Sequence, residues 1–372
     1  MKVMTVVGTR PEIIRLSRTV ELLERTTEHV FVHTRQNHDP QLSEVFLREL
    51  GLPEPDHHLA VATGRFATTL ANVVTQVDDI LELEQPDALL LLGDTNSALC
   101  VIPAKRRKIP VFHMEAGNRC FDDRVPEEIN RRLIDHLSDV NLPYTEHGRR
   151  NLLAEGLPAD RIFTTGSPQR EVVEHHRDRI LASDVLRRLG LEREGYLVAS
   201  IHREENVDDE ARLAQVADSL AVLGATFDRP IVLSTHPRTA DRLRRSATEL
   251  VAHVLVHEPF GFADYLRLQT DAFCTVSDSG TVTEESAILG FPAVTMRHTH
   301  ERPEGMDHGV LVMSGLGAER AVEAVRLARV RYERFGPPTL PDAYAPLDVS
   351  ARVVNIVQSY TDDVRRRVWG VG

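Results

Sequence analysis

The feature that most restricts the fold is an alternation of short apolar segments with amphipathic helical segments, which runs through most of the chain. Apolar runs that lead into polar turns are typical of β-strands. Their alternation with helices over short connections predicts doubly wound parallel sheets. The predicted strands are Lys2–Val7, Val30–His33, Asp87–Leu92, Val111–Met114, Asp139–Leu142, Arg161–Thr164, Tyr196–Ile201, Pro230–Ser234, Val251–His257, Phe273–Val276 and Phe291–Met296.

The length of 372 residues exceeds what one hydrophobic core usually supports, so we expect two domains. The strands fall into two similar series. A charged, helical stretch at 169–194 separates them, and we interpret it as the linker region.

Composition excludes several classes of protein. The net charge is −12 with both signs interspersed, so nucleic acid is not an expected partner. No apolar run is long enough to span a membrane, and Met1 leads almost directly into a strand, which leaves no room for a signal peptide. The three widely spaced cysteines argue against a disulfide framework and for the cytoplasm.

The stretch 273–303 carries the strongest local signal for a ligand. A strand, the turn Ser277–Gly280 and a predicted helix follow one another, and such a helix start presents free N–H groups to a phosphate. Ser279 and Gly280 would face the phosphate, Glu285 would take ribose hydroxyls, and Arg302 would be a second anion contact. The alternative is that this segment is an ordinary turn between a strand and a helix.

Polar or charged residues follow most of the predicted strands. In open α/β sheets, ligands bind outside the carboxyl ends of the strands, so we expect these residues to converge on a cleft between the two domains. Each has an ordinary alternative: Asp94 as a helix N-cap, Glu115 as a loop carboxylate, or His202 and His236 as structural histidines. The set comprises Arg10, Asp94, Glu115, His202, His236, Ser279 and Arg302.

The two halves differ in the charge of these residues. Carboxylates cluster in the N-terminal half, and cationic or phosphate-binding groups lie mainly in the C-terminal half, with Arg10 as the exception. Carboxylates suit acid/base work on a sugar, and cations suit stabilisation of a diphosphate leaving group. The residues are Asp94, Glu115 and Glu127 in the first half, and His202, Arg203, Ser279, Gly280 and Arg302 in the second.

No cofactor or metal is predicted. The first strand is not followed by G-x-G-x-x-G, and no Walker motif occurs. The cluster His298, His300, Glu301, Asp307 and His308 fits no standard set of metal ligands. Ser279 does not lie in a G-x-S-x-G elbow, which disfavours it as a nucleophile.

Seven motifs, taken together and in order, resemble the non-hydrolysing UDP-N-acetylglucosamine 2-epimerases. They are Val7–Glu12, Gly93–Thr95, His113–Gly117, Pro126–Arg131, His202–Glu204, Asp278–Gly280 and Glu301–Glu304. Ile102–Arg107, Met114–Phe121 and His300–Met306 resemble most the branch that acts on UDP-2-acetamido-2,6-dideoxy-L-hexoses.

This resemblance implies two Rossmann-like domains, 1–170 and 171–347, in a glycosyltransferase-B-like arrangement with the active-site cleft between them. Residues 348–372 would form a helix that returns to the first domain. The implied reaction is C2 epimerisation of a UDP-N-acetylhexosamine, in which UDP leaves to give a 2-acetamidoglucal and then re-adds. A homodimer is also implied.

By position, the resemblance implies that Asp94, Glu115 and Glu127 are the catalytic acids and bases, with His202 at the diphosphate or sugar. It further implies UDP contacts from Arg10, His202, Ser279, Gly280, Glu285 and Arg302. Two departures occur: Thr281 stands where many members have a second glycine, and Arg35 stands where a glycine is usual. Because the loop with Arg35 helps to bind an activating second UDP-GlcNAc in some members, that regulation is not carried over.

Other functions stay open at this point. A glycosyltransferase would share the fold and the UDP seat but would have no evident use for three acidic residues at the strand ends. A hydrolysing epimerase would release free N-acetylmannosamine. A non-catalytic nucleotide-sugar-binding regulator would keep the UDP seat and lose the carboxylates, which are present here. UDP-2-acetamido-2,6-dideoxy-L-talose is the alternative substrate.

Overall fold

The structure, a computed structural model, describes residues 1–35, 40–60, 65–235, 239, 242 and 253–370. The chain divides into two compact units, of which the first comprises Met1–His175 with Asp342–Gly372 and the second His176–Pro341. The boundaries predicted at 171 and 348 lie a few residues from these. No described helix combines the length and apolar character that crossing a membrane requires.

The first unit contains a six-stranded sheet in the order β3-β2-β1-β4-β5-β6, and every pairing is parallel. All five residues of the fourth strand are buried, as expected when helices cover both faces of a sheet. The strands are β1 (Lys2–Val7), β2 (Glu28–His33), β3 (His57–His58), β4 (Ala88–Leu92), β5 (Val111–Met114) and β6 (Val140–Leu142).

The strand predicted at Arg161–Thr164 is wrong. Only Ile162 pairs with β6, through a single bridge to Asn141. The Ile162 carbonyl accepts from Arg149 Nη1 at 3.1 Å, and the carbonyl of Thr165, directly after the segment, accepts from Arg352 Nη1 at 3.1 Å, so both bond to side chains and not to another strand. The sixth strand is β3, which was not predicted.

The helices of the first unit lie between its strands and at the end of the chain. The last helix packs against the first helix, and Arg365 Nη2 reaches Asp87 Oδ1 at 2.7 Å. The α-helices are Arg10–Thr26, Pro40–Glu49, Phe66–Glu84, Val101–Arg106, Pro126–Leu137, Glu146–Ala154, Gln169–His175 and Val349–Trp369, with 3-10 turns at Asn96–Cys100, Ala159–Arg161 and Asp342–Tyr344.

The second unit contains another six-stranded parallel sheet, in the order β12-β11-β10-β7-β8-β9. Its strands are β7 (Leu197–Ser200), β8 (Ile231–Ser234), β9 (Val254–His257), β10 (Cys274–Ser277), β11 (Ala293–Thr295) and β12 (Val312–Met313), of which the last was not predicted. Its bounded helices are Arg177–Ala182, Val185–Leu189, Glu204–Val207, Glu210–Phe227, Phe262–Asp271, Thr281–Leu289, Pro303–Asp307 and Ala318–Phe335.

The two sheets have the same strand order when each is counted from its own first strand. In each, the order reverses between the first and fourth strands, which are β1 and β4 in one unit and β7 and β10 in the other. Such a reversal leaves a crevice at the carboxyl ends of the two strands, where ligands bind in this class of fold. The predicted class, two Rossmann-like doubly wound domains, is confirmed.

Candidate active site

The end of β1 packs against the neighbouring strand ends with no room for a side chain at Gly8. A Cβ there would lie 1.9 Å from Ser97 Oγ and 2.3 Å from Thr34 Oγ1, and these two hydroxyls are 2.7 Å apart. The chain then enters the helix Arg10–Thr26. The Arg10 guanidinium lies over the Phe46 ring, 5.6 Å from its centroid.

Glu12, in the first turn of this helix, is a buried carboxylate that the sequence reasoning missed. Its Oε2 accepts hydrogen bonds from Gly8 N at 2.9 Å, Thr9 N at 2.6 Å and Thr9 Oγ1 at 2.8 Å. Its Oε1 accepts from Thr95 Oγ1 at 2.8 Å. The T-x-x-E spacing of a capping box was the signal that could have identified it.

Asp94 follows β4 and is held from the helix Pro126–Leu137. Arg131 Nη2 lies 2.6 Å from Asp94 Oδ2, and Asn130 Nδ2 donates to the Asp94 carbonyl at 3.0 Å. The residue that caps the next turn is Thr95. The alternative that Asp94 is only a helix N-cap is therefore wrong.

Glu115 follows β5 with a positive φ of 66°, a conformation that a residue with a side chain rarely adopts. Its carboxylate forms an ion pair with Arg15 and accepts from Asn118 Nδ2 at 3.2 Å. The Arg15 side chain is only 5% exposed and that of Glu115 11%. The strained backbone and the buried cation together fix the direction of this carboxylate.

Glu127 lies half-buried in the first turn of the helix Pro126–Leu137. Its neighbour Glu128 is fully buried and accepts from Cys120 N at 2.9 Å and from Arg132 Nη2 at 3.0 Å. Burial acts to raise the pKa of Glu128, but the Cys120 hydrogen bonds and the Arg131 charge outweigh it and lower the pKa below its ordinary value. Glu128 therefore ties the loop before Glu127 to the helix.

A buried His113–Asp135 pair supports the loops after β4 and β5. His113 Nε2 lies 2.8 Å from the Gly93 carbonyl, and Nδ1 lies 2.9 Å from Asp135 Oδ1. The imidazole ring thus lies between a backbone carbonyl and a buried carboxylate. Asp135 also accepts from Gly117 N at 3.1 Å, so this pair joins the two loops that carry Asp94 and Glu115.

In the second unit, buried Asp278 joins the ends of β7 and β10. It accepts from His202 N at 3.1 Å, Arg203 N at 3.0 Å and Asn206 Nδ2 at 3.1 Å. The His202 side chain is 54% exposed, with Nδ1 3.2 Å from Asp278 Oδ1. The backbone that carries His202 and Arg203 is therefore fixed, while the imidazole of His202 reaches solvent.

The turn after β10 leads into the helix Thr281–Leu289, which Gly280 caps. Ser279 Oγ lies 3.0 Å from Thr281 Oγ1 and accepts from Thr281 N at 3.3 Å. A Cβ on Gly280 would lie 2.6 Å from Glu301 Oε1, so only glycine fits without displacing that carboxylate.

Three arginines contact two carboxylates beside this helix start. Arg203 Nη2 lies 3.1 Å from Glu301 Oε1, and Arg297 Nη2 lies 2.7 Å from Glu301 Oε2. Arg302 Nη2 lies 3.2 Å from buried Glu284. Positive charge next to a helix N-terminus favours an anion. Glu285, on the same helix, is buried and accepts from Gln269 Nε2 at 2.8 Å.

The predicted site residues thus fall into two groups, one in each unit. Arg10, Asp94 and Glu115 follow strands of the first sheet, and Glu127 begins a helix beside them; His202, Arg203, Ser279, Gly280, Glu285 and Arg302 lie around β7, β10 and β11. His236 lies outside the described residues. Among the described residues, no three side chains of the types that bind metals form a cluster. The buried partners that were not predicted are Glu12, Arg15, Arg131, Asp278, Arg297 and Glu301.

Comparison with known proteins identifies the family of the chain. A family model described as UDP-N-acetylglucosamine 2-epimerase matches residues 21–358. The solved UDP-N-acetylglucosamine 2-epimerase of Rickettsia bellii is 47% identical, with a TM-score of 0.92 and 99% of each chain covered.

Two more distant relatives differ in the sugar that their names give. The Methanocaldococcus jannaschii UDP-GlcNAc 2-epimerase, solved in complex with UDP-GlcNAc and UDP, is 30% identical with a TM-score of 0.90, covering 96% of this chain and 100% of that one. The UDP-2,3-diacetamido-2,3-dideoxy-D-glucuronate 2-epimerase of Pseudomonas aeruginosa is 32% identical over 332 residues, 88% of this chain and 92% of that protein. The predicted family is confirmed, and the chain belongs to the UDP-N-acetylglucosamine 2-epimerase family of isomerases.

Proposed function

We propose that the protein interconverts UDP-GlcNAc and UDP-ManNAc by epimerisation at C2 of the sugar. One observation carries the proposal: Asp94 and Glu115, at adjacent strand ends of one sheet, each form an ion pair with an arginine. Paired with a cation, a carboxylate stays ionised and oriented, which is what a proton acceptor at carbon requires.

The second unit supplies the UDP seat in this proposal. The helix start at Gly280 and the Ser279 hydroxyl would bind the diphosphate, with Arg203 and Arg302 adding positive charge. Glu285 would accept hydrogen bonds from the ribose. Because a leaving UDP gains negative charge as the C1–O bond breaks, these cations would stabilise the transition state more than the bound substrate. Arg10, His202 and His236 complete the proposed set of contacts.

The chemistry needs the carboxylates and the cations to act together. The C2 hydrogen is not acidic, so its removal has to accompany C1–O cleavage. The proton passes to a carboxylate, the C2–H electron pair forms the C1=C2 double bond, and UDP departs with the C1–O pair, leaving a 2-acetamidoglucal. UDP then re-adds to C1 while a proton is returned to the opposite face of C2. Asp94, Glu115 and Glu127 are the proposed acids and bases.

The proposal includes a homodimer. Ile129 and Leu133, one helical turn apart, are 58% and 36% exposed, and Phe121 in the preceding loop is 74% exposed. The two helix residues lie on one face because they are four positions apart, and exposed apolar side chains favour association with another protein surface. A cytoplasmic location is also proposed, supported by three cysteines that are all free and buried.

The alternative substrate is UDP-2-acetamido-2,6-dideoxy-L-talose, which the motif details at Ile102–Arg107, Met114–Phe121 and His300–Met306 favour. The proposed machinery handles C1, C2 and the diphosphate, which both substrates share. The choice between them therefore depends on contacts to the rest of the sugar ring.

Proton NMR in D2O tests both substrates directly. UDP-GlcNAc and the UDP-6-deoxy-L-talosamine derivative are each incubated with the enzyme, and deuterium at C2 and the new epimer are followed. UDP-ManNAc carrying deuterium at C2 would support the first proposal, and turnover of the deoxy sugar alone would support the alternative. Free N-acetylmannosamine would indicate a hydrolysing enzyme. UDP binding without exchange in either sugar would indicate a non-catalytic regulator.

A further inference from the structure

The buried carboxylate of Glu12 bridges the two strands at which the order of the first sheet reverses. Three of its hydrogen bonds go to Gly8 and Thr9 after β1, and the fourth comes from Thr95 after β4. Arg10 directly follows Thr9, and Asp94 directly precedes Thr95. Glu12 therefore sets the spacing between the loops that carry these two proposed site residues.

Asp94 is fixed from its other side by the helix Pro126–Leu137. Asn130 donates to the Asp94 carbonyl, and Arg131 pairs with its carboxylate. These contacts orient Asp94 toward the helix, while the Thr95–Glu12 hydrogen bond ties the same loop back to β1. Release of that bond leaves the Asp94 loop held on one side only.

All four groups that contact Glu12 are hydrogen-bond donors, which suits an ionised carboxylate. A protonated carboxyl would place its own hydrogen against one of them. On Oε2 the hydrogen would face the Gly8 and Thr9 donors, and on Oε1 it would force the Thr95 hydroxyl to turn and accept. Loss of the charge on Glu12 therefore breaks or reverses a contact that holds the Asp94 loop.

We propose that Glu12 is a positioning residue that keeps Asp94 in its working orientation through Thr95, and that it does so only in its ionised form. This inference rests on the proposed function, because Asp94 is a base only if the enzyme removes the C2 proton.

Burial raises the pKa of Glu12 to about 7, and hydrogen bonds from Thr9, Gly8 and Thr95 act in the opposite direction. The Cys100 thiol faces it from the 3-10 turn, and burial together with the Glu12 charge raises the pKa of that thiol. The nearby charges form the pairs Arg15–Glu115 and Arg131–Asp94. We therefore expect kcat to fall on the acidic side of neutrality as Glu12 takes up a proton. This fall is the acidic limb of the pH profile.

The test compares pH profiles of kcat for the wild type and the variants Thr95→Val, Thr95→Ser and Glu12→Gln. Thr95→Val cuts the hydrogen bond through which Glu12 reaches the Asp94 loop, so kcat should fall and the acidic limb that Glu12 causes should disappear. Thr95→Ser keeps the hydroxyl and should restore the wild-type limb. Glu12→Gln should lower kcat roughly tenfold or more at neutral pH through misplacement of Asp94.

The outcomes separate this inference from the proposed function. No C2 exchange by the wild type would overturn the proposed function itself. An active wild type whose acidic limb is the same in Thr95→Val would overturn the inference, provided that circular dichroism shows the variant to be folded. A limb that is lost in Thr95→Val and returns in Thr95→Ser would support it, because a purely structural role would lower activity at every pH and leave the limb in place.

Discussion

Arg131 reaches the Asp94 carboxylate from the helix Pro126–Leu137, with Nη2 2.6 Å from Oδ2. Its Nη1 lies 3.3 Å from Glu128, so the guanidinium is itself held by a second carboxylate. The Arg131 side chain is 4% exposed and Glu128 is fully buried. Asp94 therefore faces a cation that is fixed in place, and its charge and its direction both depend on that cation.

Asp94→Asn and Glu115→Gln should each lower kcat by about 10²–10⁴-fold, because an amide cannot take up the C2 proton. UDP affinity should be unchanged, since the proposed UDP seat lies in the other unit. Deuterium exchange at C2 and UDP titration calorimetry measure the two effects. Glu82→Gln, at an exposed carboxylate paired with Arg107, is the matched control. Near-normal exchange in both site variants would remove these residues from the mechanism.

Ser279→Ala and Arg302→Met should each weaken UDP binding by roughly tenfold, the usual loss when a hydrogen bond to a charged group disappears. Arg320→Met, which removes an exposed arginine paired with Glu323, controls for the general loss of positive charge. Since Arg302 contacts buried Glu284, the stability of that variant is measured alongside. Unchanged dissociation constants in both site variants would place the diphosphate elsewhere.

Gly117→Ala should destabilise the protein by about 2 kcal/mol or more beyond Gly156→Ala. Both glycines have positive φ, 79° and 84°. An added Cβ at Gly117 would lie 2.2 Å from the Gly148 carbonyl oxygen, whereas nothing lies within 4 Å at Gly156. Urea unfolding of the two variants separates the clash from the backbone strain that they share. Equal losses would show that Gly148 can move aside.

The stability gap between the wild type and Glu12→Gln should change with pH. The pKa of Glu12 is raised from 4.5 to about 7, so the folded state binds its proton more tightly than the unfolded state. The resulting stabilisation is complete below the unfolded pKa and is lost as pH rises through the folded one. The wild type should therefore lose stability relative to Glu12→Gln between pH 5 and pH 8, as measured by urea unfolding across that range. A constant gap would contradict the raised pKa.

Ile129→Glu should convert a dimer into a monomer, because it places a charge next to Leu133 on the exposed apolar face of the helix Pro126–Leu137. Light scattering after size-exclusion chromatography gives the mass of each form. Leu181→Glu, at a leucine of similar exposure in the second unit, is the matched control. A monomeric wild type would overturn the proposed dimer. An Ile129→Glu variant that stays dimeric would show that the interface lies on another surface.

Most strands could be predicted from the sequence, because each is an apolar run next to a helical pattern. The exceptions are edge segments. His57–His58 and Val312–Met313 are two-residue strands, too short to produce a periodic signal, and Arg161–Thr164 has the composition of a strand without a full pairing partner. Pairing at a sheet edge depends on which side chains reach the backbone, and Arg149 and Arg352 do so here.

The site residues at strand ends could be predicted, but their partners could not. Arg15 and Glu115 are separated by 100 positions, and they meet only because β1, β4 and β5 are neighbours in the sheet. The alternation of strands and helices leaves several strand orders possible, so it does not say which loops touch. Glu12 is the exception, since its capping-box spacing is local.

The second unit is an insertion in the sequence of the first, which resumes at Asp342 and ends with the helix Val349–Trp369. Chains leave the ribosome N-terminus first, and domains generally fold as units. Residues 176–341 can thus fold while the ribosome still holds the segment that completes the first unit. A message cut short near codon 341 would therefore encode a complete second unit together with a first unit that lacks its last helix.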